Sequence, residues 1–165
     1  MNLIPIEGGV CAAKGFQAAG VHCGIRKNRS KKDLALIYSQ TECAVACTYT
    51  QNKVFGAPIT VTRKHVANGK AKAIICNSGN ANTCNANGVE IAEKTCALAA
   101  EALGISAEDV VVASTGVIGQ PLSIEPIAAG LPVLVSQLST QGSTDACEGI
   151  MTTDTYPKEC AYAFS

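Results

Sequence analysis

Three short loops hold the hydroxyl, amide and glycine groups from which this chain can build a reactive site: "NSGNANT" at 77–83, "STG" at 114–116 and "TTDT" at 152–155. Each follows an apolar run. Ligand sites in α/β proteins collect at strand ends, where backbone N–H groups are free, so the three loops are expected to share one pocket. Thr115 and Gly116 have the chemistry to hold a developing negative charge. A glycine lets the backbone approach an oxygen without Cβ interference, its N–H is a donor, and the neighbouring hydroxyl is a second; each such donor is worth about 3–4 kcal/mol in a transition state. Asn77, Asn80 and Asn82 offer amides that orient an amide or carboxylate, and Thr152 and Thr153 offer hydroxyls for polar groups of a substrate. The same residue types also build ordinary turns and caps, and each loop taken alone favours that plainer reading.

The chain is poor in groups that attack or move protons. His22 lies in a glycine-rich stretch and reads as a packing residue; His65 follows "TRK" and reads as a surface residue. No Ser, His, Asp order assembles into a triad. None of the nine cysteines has a neighbour that marks an activated thiolate. No CxxC occurs, and the closest pair, Cys43 and Cys47, lies in a segment that reads as strand, so no metal site is expected. What remains is a receptor for negative charge without an attacker.

The elements that must position these loops can be read from apolar spacing. "DLALIYS" and "CAVACTYT", separated by "QTE", read as a hairpin, "APITVTRKHV" as a strand, and "KAIICNSGNAN" as an apolar strand running into a polar loop. Val89, Ile91, Ala92, Cys96, Ala99, Ala100 and Leu103 recur at helical intervals, with Gly104 as the terminator. "SAED" leaves room for a short turn before "VVVAS" resumes strand character. Ser123 is expected to cap a short helix, Pro132 to open another, and Thr144 or Asp145 to cap a further helical turn. Strands alternating with helices after a strand-rich first third predict an α/β (mixed α+β) single domain over 1–165, with helices on the faces of a mixed sheet.

Composition narrows the partners. Thirteen basic and thirteen acidic side chains cancel, so no overall field favours nucleic acid or an anionic membrane. The basic run "RKNRSKK" at 26–32 lacks interleaved aromatics and reads as a solvated loop. A core of small aliphatic residues is expected from 47% hydrophobic residues with 4% aromatics. The odd number of cysteines, with no secretory leader before them, predicts reduced thiols in the cytoplasm. No stretch has the length of a membrane span.

Four blocks carry a family resemblance: "GVCAAKGFQAAGVHCGIRKNRSKKDLALIYS", "IICNSGNAN", "VVASTGVIGQPL" and "EGIMTTDTYPK". In this order and spacing they resemble the amino-terminal part, the α chain, of the ornithine acetyltransferase (glutamate N-acetyltransferase) family of arginine biosynthesis. The resemblance implies a precursor that cleaves itself before a threonine. That threonine becomes the first residue of a β chain and the nucleophile, with its own α-amine as base. The acetyl group of N-acetylornithine then passes to it and on to glutamate, and bifunctional members also use acetyl-CoA. On this sequence the oxyanion pair falls on Thr115 and Gly116, and the substrate-binding threonine on Thr152, with Thr153 the adjacent alternative. No cofactor is implied.

The family's cleavage segment, of the form KGSGMIxPNMAT, is not among the 165 residues. The nucleophile is therefore expected on a separate β chain that completes the fold, in a heterotetramer of two α and two β chains. Alone, these residues are expected to be inert. Two other readings stay open: a non-catalytic metabolite- or anion-binding subunit, and a hydrolytic relative that releases acetate to water.

Overall fold

The computed structural model describes residues 2–165. In chain order its strands and helices are β1 (Leu3–Ile6), β2 (Phe16–Val21), β3 (Leu34–Ala44), α1 (Ala57–His65), β4 (Lys70–Asn80), α2 (Gly88–Leu103), β5 (Val110–Val117), α3 (Glu125–Ser136), α4 (Ser143–Ile150) and β6 (Ala161–Phe164). Strands β2, β3, β4 and β5 lie side by side in that order; the first two pairings are antiparallel and the last is parallel. A parallel pair needs a crossover, and α2 supplies it. The sheet is mixed, as expected. Strands β1 and β6 form a separate antiparallel pair.

Period-two alternation divides the side chains of the sheet between two faces. Val21, Leu34, Leu36, Ile75, Val110 and Val112 point to one face. They pack against Val61 of α1, the Ile91, Cys96 and Ala99 stripe of α2, and Ile127, Leu131 and Leu134 of α3. Each fully buried Leu or Ile contributes about 1.5–3 kcal/mol, so this layer dominates the stability of the fold. The opposite face is covered only in part. Helix α4 lies over β2 and β3 through Ala18, Ala35 and Ala146, whereas Ile74 of β4 stays 41% exposed and Ile150 at the end of α4 stays 46% exposed. Among the described residues no helix is long and apolar enough to cross a membrane.

Several elements differ from the sequence reading; Thr144 and Asp145, expected as caps, lie inside α4, whose N-cap position is held by Gly142. "APITVTRKHV" is the helix α1, because its buried positions, Pro58, Val61, Thr62 and His65, follow helical spacing and a proline suits the first turn. "DLALIYS" and the start of "CAVACTYT" form one strand, and the intervening polar residues are an irregularity between Tyr38 and Cys43 instead of a hairpin turn. Pro132 does not open a helix but lies inside α3, where it withholds one hydrogen bond, and Ile124 stands at the N-cap position expected for Ser123. The α2 reading holds to its end: Gly104, at φ 68°, closes it in the left-handed conformation.

Helix α1 also finishes the outer edge of the sheet. The Thr62 hydroxyl donates to the Val112 carbonyl at 2.8 Å and accepts the Val112 N–H at 3.2 Å, while His65 Nδ1 lies 2.9 Å from the Val110 carbonyl. His65 is therefore no surface residue: it is buried against β5. Thr62→Val keeps the side-chain shape and leaves both Val112 groups unmet, so urea unfolding is expected to show a loss of about 1–3 kcal/mol. An unchanged midpoint would show that Val112 does not depend on this hydroxyl.

Candidate functional site

The parallel strands β4 and β5 end together, with Asn77 beside Ser114, Ser78 beside Thr115 and Gly79 beside Gly116. The asparagines beyond them turn inward. Asn77 accepts the Ser114 hydroxyl at 2.6 Å and donates to the Asn80 carbonyl at 2.9 Å. Asn80 accepts the Asn82 N–H at 2.8 Å and donates to the Gln120 carbonyl at 3.1 Å. Asn82, held at φ 47°, donates to the Gly88 carbonyl at 2.8 Å. These three amides are buried and bonded within the fold, so they shape the loop and are not free for a ligand.

Thr115 and Gly116 are disposed differently. Alternation along β5 puts the Thr115 side chain on the α4 side of the sheet with Ala113, opposite the buried Val110 and Val112. Thr115 is half-buried, and its hydroxyl has no hydrogen-bond partner among the described residues. Val112 directs both its N–H and its carbonyl outward to Thr62, so the same two-residue period turns the Gly116 N–H to the outer edge of β5. Gly116 is exposed, at φ 130°, and a Cβ there would lie 2.5 Å from the Gly79 carbonyl carbon. The close crossing of the two glycine backbones therefore requires glycine at 116 for steric reasons, apart from any chemistry.

The stretches 77–80 and 114–116, expected as loops, are the last residues of β4 and β5, and the 152–155 stretch is tied to β4 through α4. The Ser78 hydroxyl donates to the Gly149 carbonyl at 2.6 Å in the last turn of that helix. Thr152 follows three residues later and is half-buried; its N–H donates to Asp154 at 3.1 Å and its hydroxyl is unpartnered among the described residues. Thr153 is exposed. The Lys158 ammonium, and after it the Thr152 N–H, hold the Asp154 carboxyl below its usual range. Behind the loops Asp33, fully buried, accepts backbone N–H groups from Cys23 at 2.6 Å, Gly24 at 3.2 Å and Arg26 at 2.9 Å. Its own carbonyl takes the Ser78 N–H at 2.9 Å.

The groups that attack or carry protons lie elsewhere. His22 Nδ1 faces the Lys31 carbonyl at 3.0 Å and Asp33 at 3.2 Å. Burial, reinforced by the Asp33 charge, pushes the Cys23 thiol up to about 12, which keeps it protonated and non-nucleophilic. All nine cysteines are free, and no metal-binding cluster occurs among the described residues. The three stretches thus offer two hydroxyls unpartnered among the described residues and an N–H at the outer edge of β5.

A protein-family model, ArgJ, matches residues 17–165. The chain belongs to the ArgJ family. It is 48% identical over 158 residues to the arginine biosynthesis bifunctional protein ArgJ of Symbiobacterium thermophilum, a match that covers 94% of this chain and 39% of that protein. The chain thus spans about 39% of the length of that curated relative. A crystal structure of the ArgJ bifunctional protein of Bacillus halodurans superposes with a TM-score of 0.91 at 38% identity, covering 98% of this chain and 85% of that one. Ornithine acetyltransferase of Mycobacterium tuberculosis, solved in complex with ornithine, gives a TM-score of 0.91 at 34% identity, covering 98% and 88%.

Within this ArgJ-family fold Thr115 and Gly116 lie in β5 itself and not in a loop after it, and the Ser78–Gly149 bond ties the last turn of α4, three residues before Thr152, to the adjoining β4. Arg26 carries no local mark of a role in the sequence, and Ser78 is not distinguished from the other polar residues of the 77–83 stretch. The one available signal was Asp33 itself, a lone acid closing a basic run and opening an apolar strand, which is unusual for a solvated loop.

Proposed function

We propose that this chain is the α subunit of an acetyltransferase of arginine biosynthesis, which moves the acetyl group of N-acetylornithine to glutamate. A β chain supplies the attacking threonine. Its α-amine takes the hydroxyl proton as the oxygen adds to the acetyl carbonyl, and the carbonyl oxygen becomes an oxyanion. The Thr115 hydroxyl and the Gly116 N–H hold that oxyanion. Collapse breaks the C–N bond, and ornithine leaves as the amine with the proton. The glutamate amine then attacks the acetyl-threonine ester, the acyl C–O bond breaks, the threonine oxygen regains a proton as the amine sheds one, and N-acetylglutamate departs. Thr152, or its neighbour Thr153, contacts polar groups of the substrate.

The observation that carries this reading is the pairing of an unpartnered Thr115 hydroxyl with an outward Gly116 N–H, beside the Thr152 loop and away from any internal base. The part of the sheet face that α4 leaves uncovered supports a second chain. A cavity of about 320 Å³ there is lined by Ala35, Ile37, Ile74, Cys76, Ala113 and Ile150, and the residues after the donor pair, Val117 and Ile118, are 51% and 62% exposed. A heterotetramer of two α and two β chains in the cytoplasm completes the reading.

Incubating the assembled complex with N-acetylornithine and glutamate, with mass spectrometry of the partner chain, tests it. The expected result is N-acetylglutamate together with an acetylated leading threonine. Acetate released equally with and without glutamate would indicate a hydrolase, and neither acetyl-threonine nor product would leave a binding subunit.

A further inference from the structure

We infer that Arg26 is a positioning residue for the acetyl-transfer site, clasping the Thr152 loop to the glycine crossing that carries the donor pair; this rests on the transfer reading above. Arg26 leaves the "RKNRSKK" run half-buried, with its backbone N–H fixed on the Asp33 carboxylate at 2.9 Å. Its stem then crosses Gly79: a Cβ on Gly79 would lie 2.8 Å from Arg26 Cγ and 3.6 Å from Nε. Gly79 is the residue against which Gly116 is pressed. From there the guanidinium donates to the Met151 carbonyl, immediately before Thr152.

One side chain therefore touches the arch under the oxyanion donor and the backbone of the substrate-binding loop. Its Nε is buried without a hydrogen-bond partner among the described residues, an uncommon state for a guanidinium donor. A planar, permanently charged fork on a long stem suits the task. It reaches across the glycine and holds a carbonyl on the far side. Asp33 anchors the near end of the clasp through Arg26 and the far strand through Ser78.

Arg26→Met and Arg26→Lys, each prepared as the assembled complex, test the inference. Small misplacements of catalytic groups cost up to about a hundredfold in rate. Arg26→Met is thus expected to lower kcat by about tenfold to a hundredfold, with KM for both substrates changed much less, and to speed amide exchange at Met151 and Thr152. Arg26→Lys, which keeps a donor and the charge, is expected to recover part of both. Wild-type kcat and wild-type exchange in Arg26→Met would overturn the inference, and so would a rise in KM alone, which would mark direct substrate binding. If Arg26→Met fails to assemble, unaltered kcat and exchange in Arg26→Lys overturn it. Should the wild-type complex transfer no acetyl group, the transfer reading fails, while the exchange measurement still reports on the clasp.

Discussion

Thr115→Ala in the assembled enzyme is expected to slow formation of acetyl-threonine about a hundredfold or more, with the melting temperature nearly unchanged. The two halves of this expectation have separate causes. The hydroxyl has no partner among the described residues and the side chain is half-buried, so its removal strands no buried group and opens no sealed cavity. The rate falls because a donor that acts when the carbonyl oxygen gains charge has gone, and such a donor is worth more in the transition state than in the ground state. Single-turnover acylation with N-acetylornithine measures the effect directly. Thr115→Ser retains the donor and should stay within about tenfold of wild type. Unchanged turnover in Thr115→Ala would remove Thr115 from the mechanism.

Gly116→Ala is expected to fail in both respects. The new Cβ would lie 2.5 Å from the Gly79 carbonyl carbon and 2.7 Å from the Asn80 nitrogen, which are backbone atoms and cannot rotate away. The residue also sits at φ 130°, where an L side chain is strained. Overpacking and strain together predict a loss of about 2–4 kcal/mol in stability. The strands must part to relieve the contact, which moves the N–H off the oxyanion, so acylation should fall at least about a hundredfold as well. Chemical unfolding and the same acylation assay measure the two effects. A Gly116→Ala enzyme that folds with full stability would show that the two glycine backbones do not cross as closely as described.

Legibility in the sequence followed the range of the determining interactions. Helix α2 was readable because its stripe and its terminating Gly104 are local features, present within one stretch of chain. Helix α1 was not: Ile59, Thr60, Val61 and Thr62 are β-branched and read as strand until packing on β5 selects the helical period. The long β3 reads as a hairpin from sequence because a polar irregularity and a turn use the same residue types. Thr115 and Gly116 could be named from chemistry, but the neighbouring residues did not separate an oxyanion site from a turn. Their free donors follow from pairings with Ser78 and Gly79, more than thirty positions earlier. Arg26 and Asp33 were hidden for the same reason, since a basic run looks solvated until Gly79 and Met151 arrive from distant parts of the chain.

The uncovered side of the sheet also bears on handling and biosynthesis. Ile74 and Ile150 present hydrocarbon to water beside Cys76 and Ala113. A polypeptide produced singly in this state is expected to be sticky: prone to precipitation as its concentration rises, to capture by chaperones and to short cellular lifetimes. Co-production with whatever shields that side should raise the soluble yield before any catalytic measurement begins.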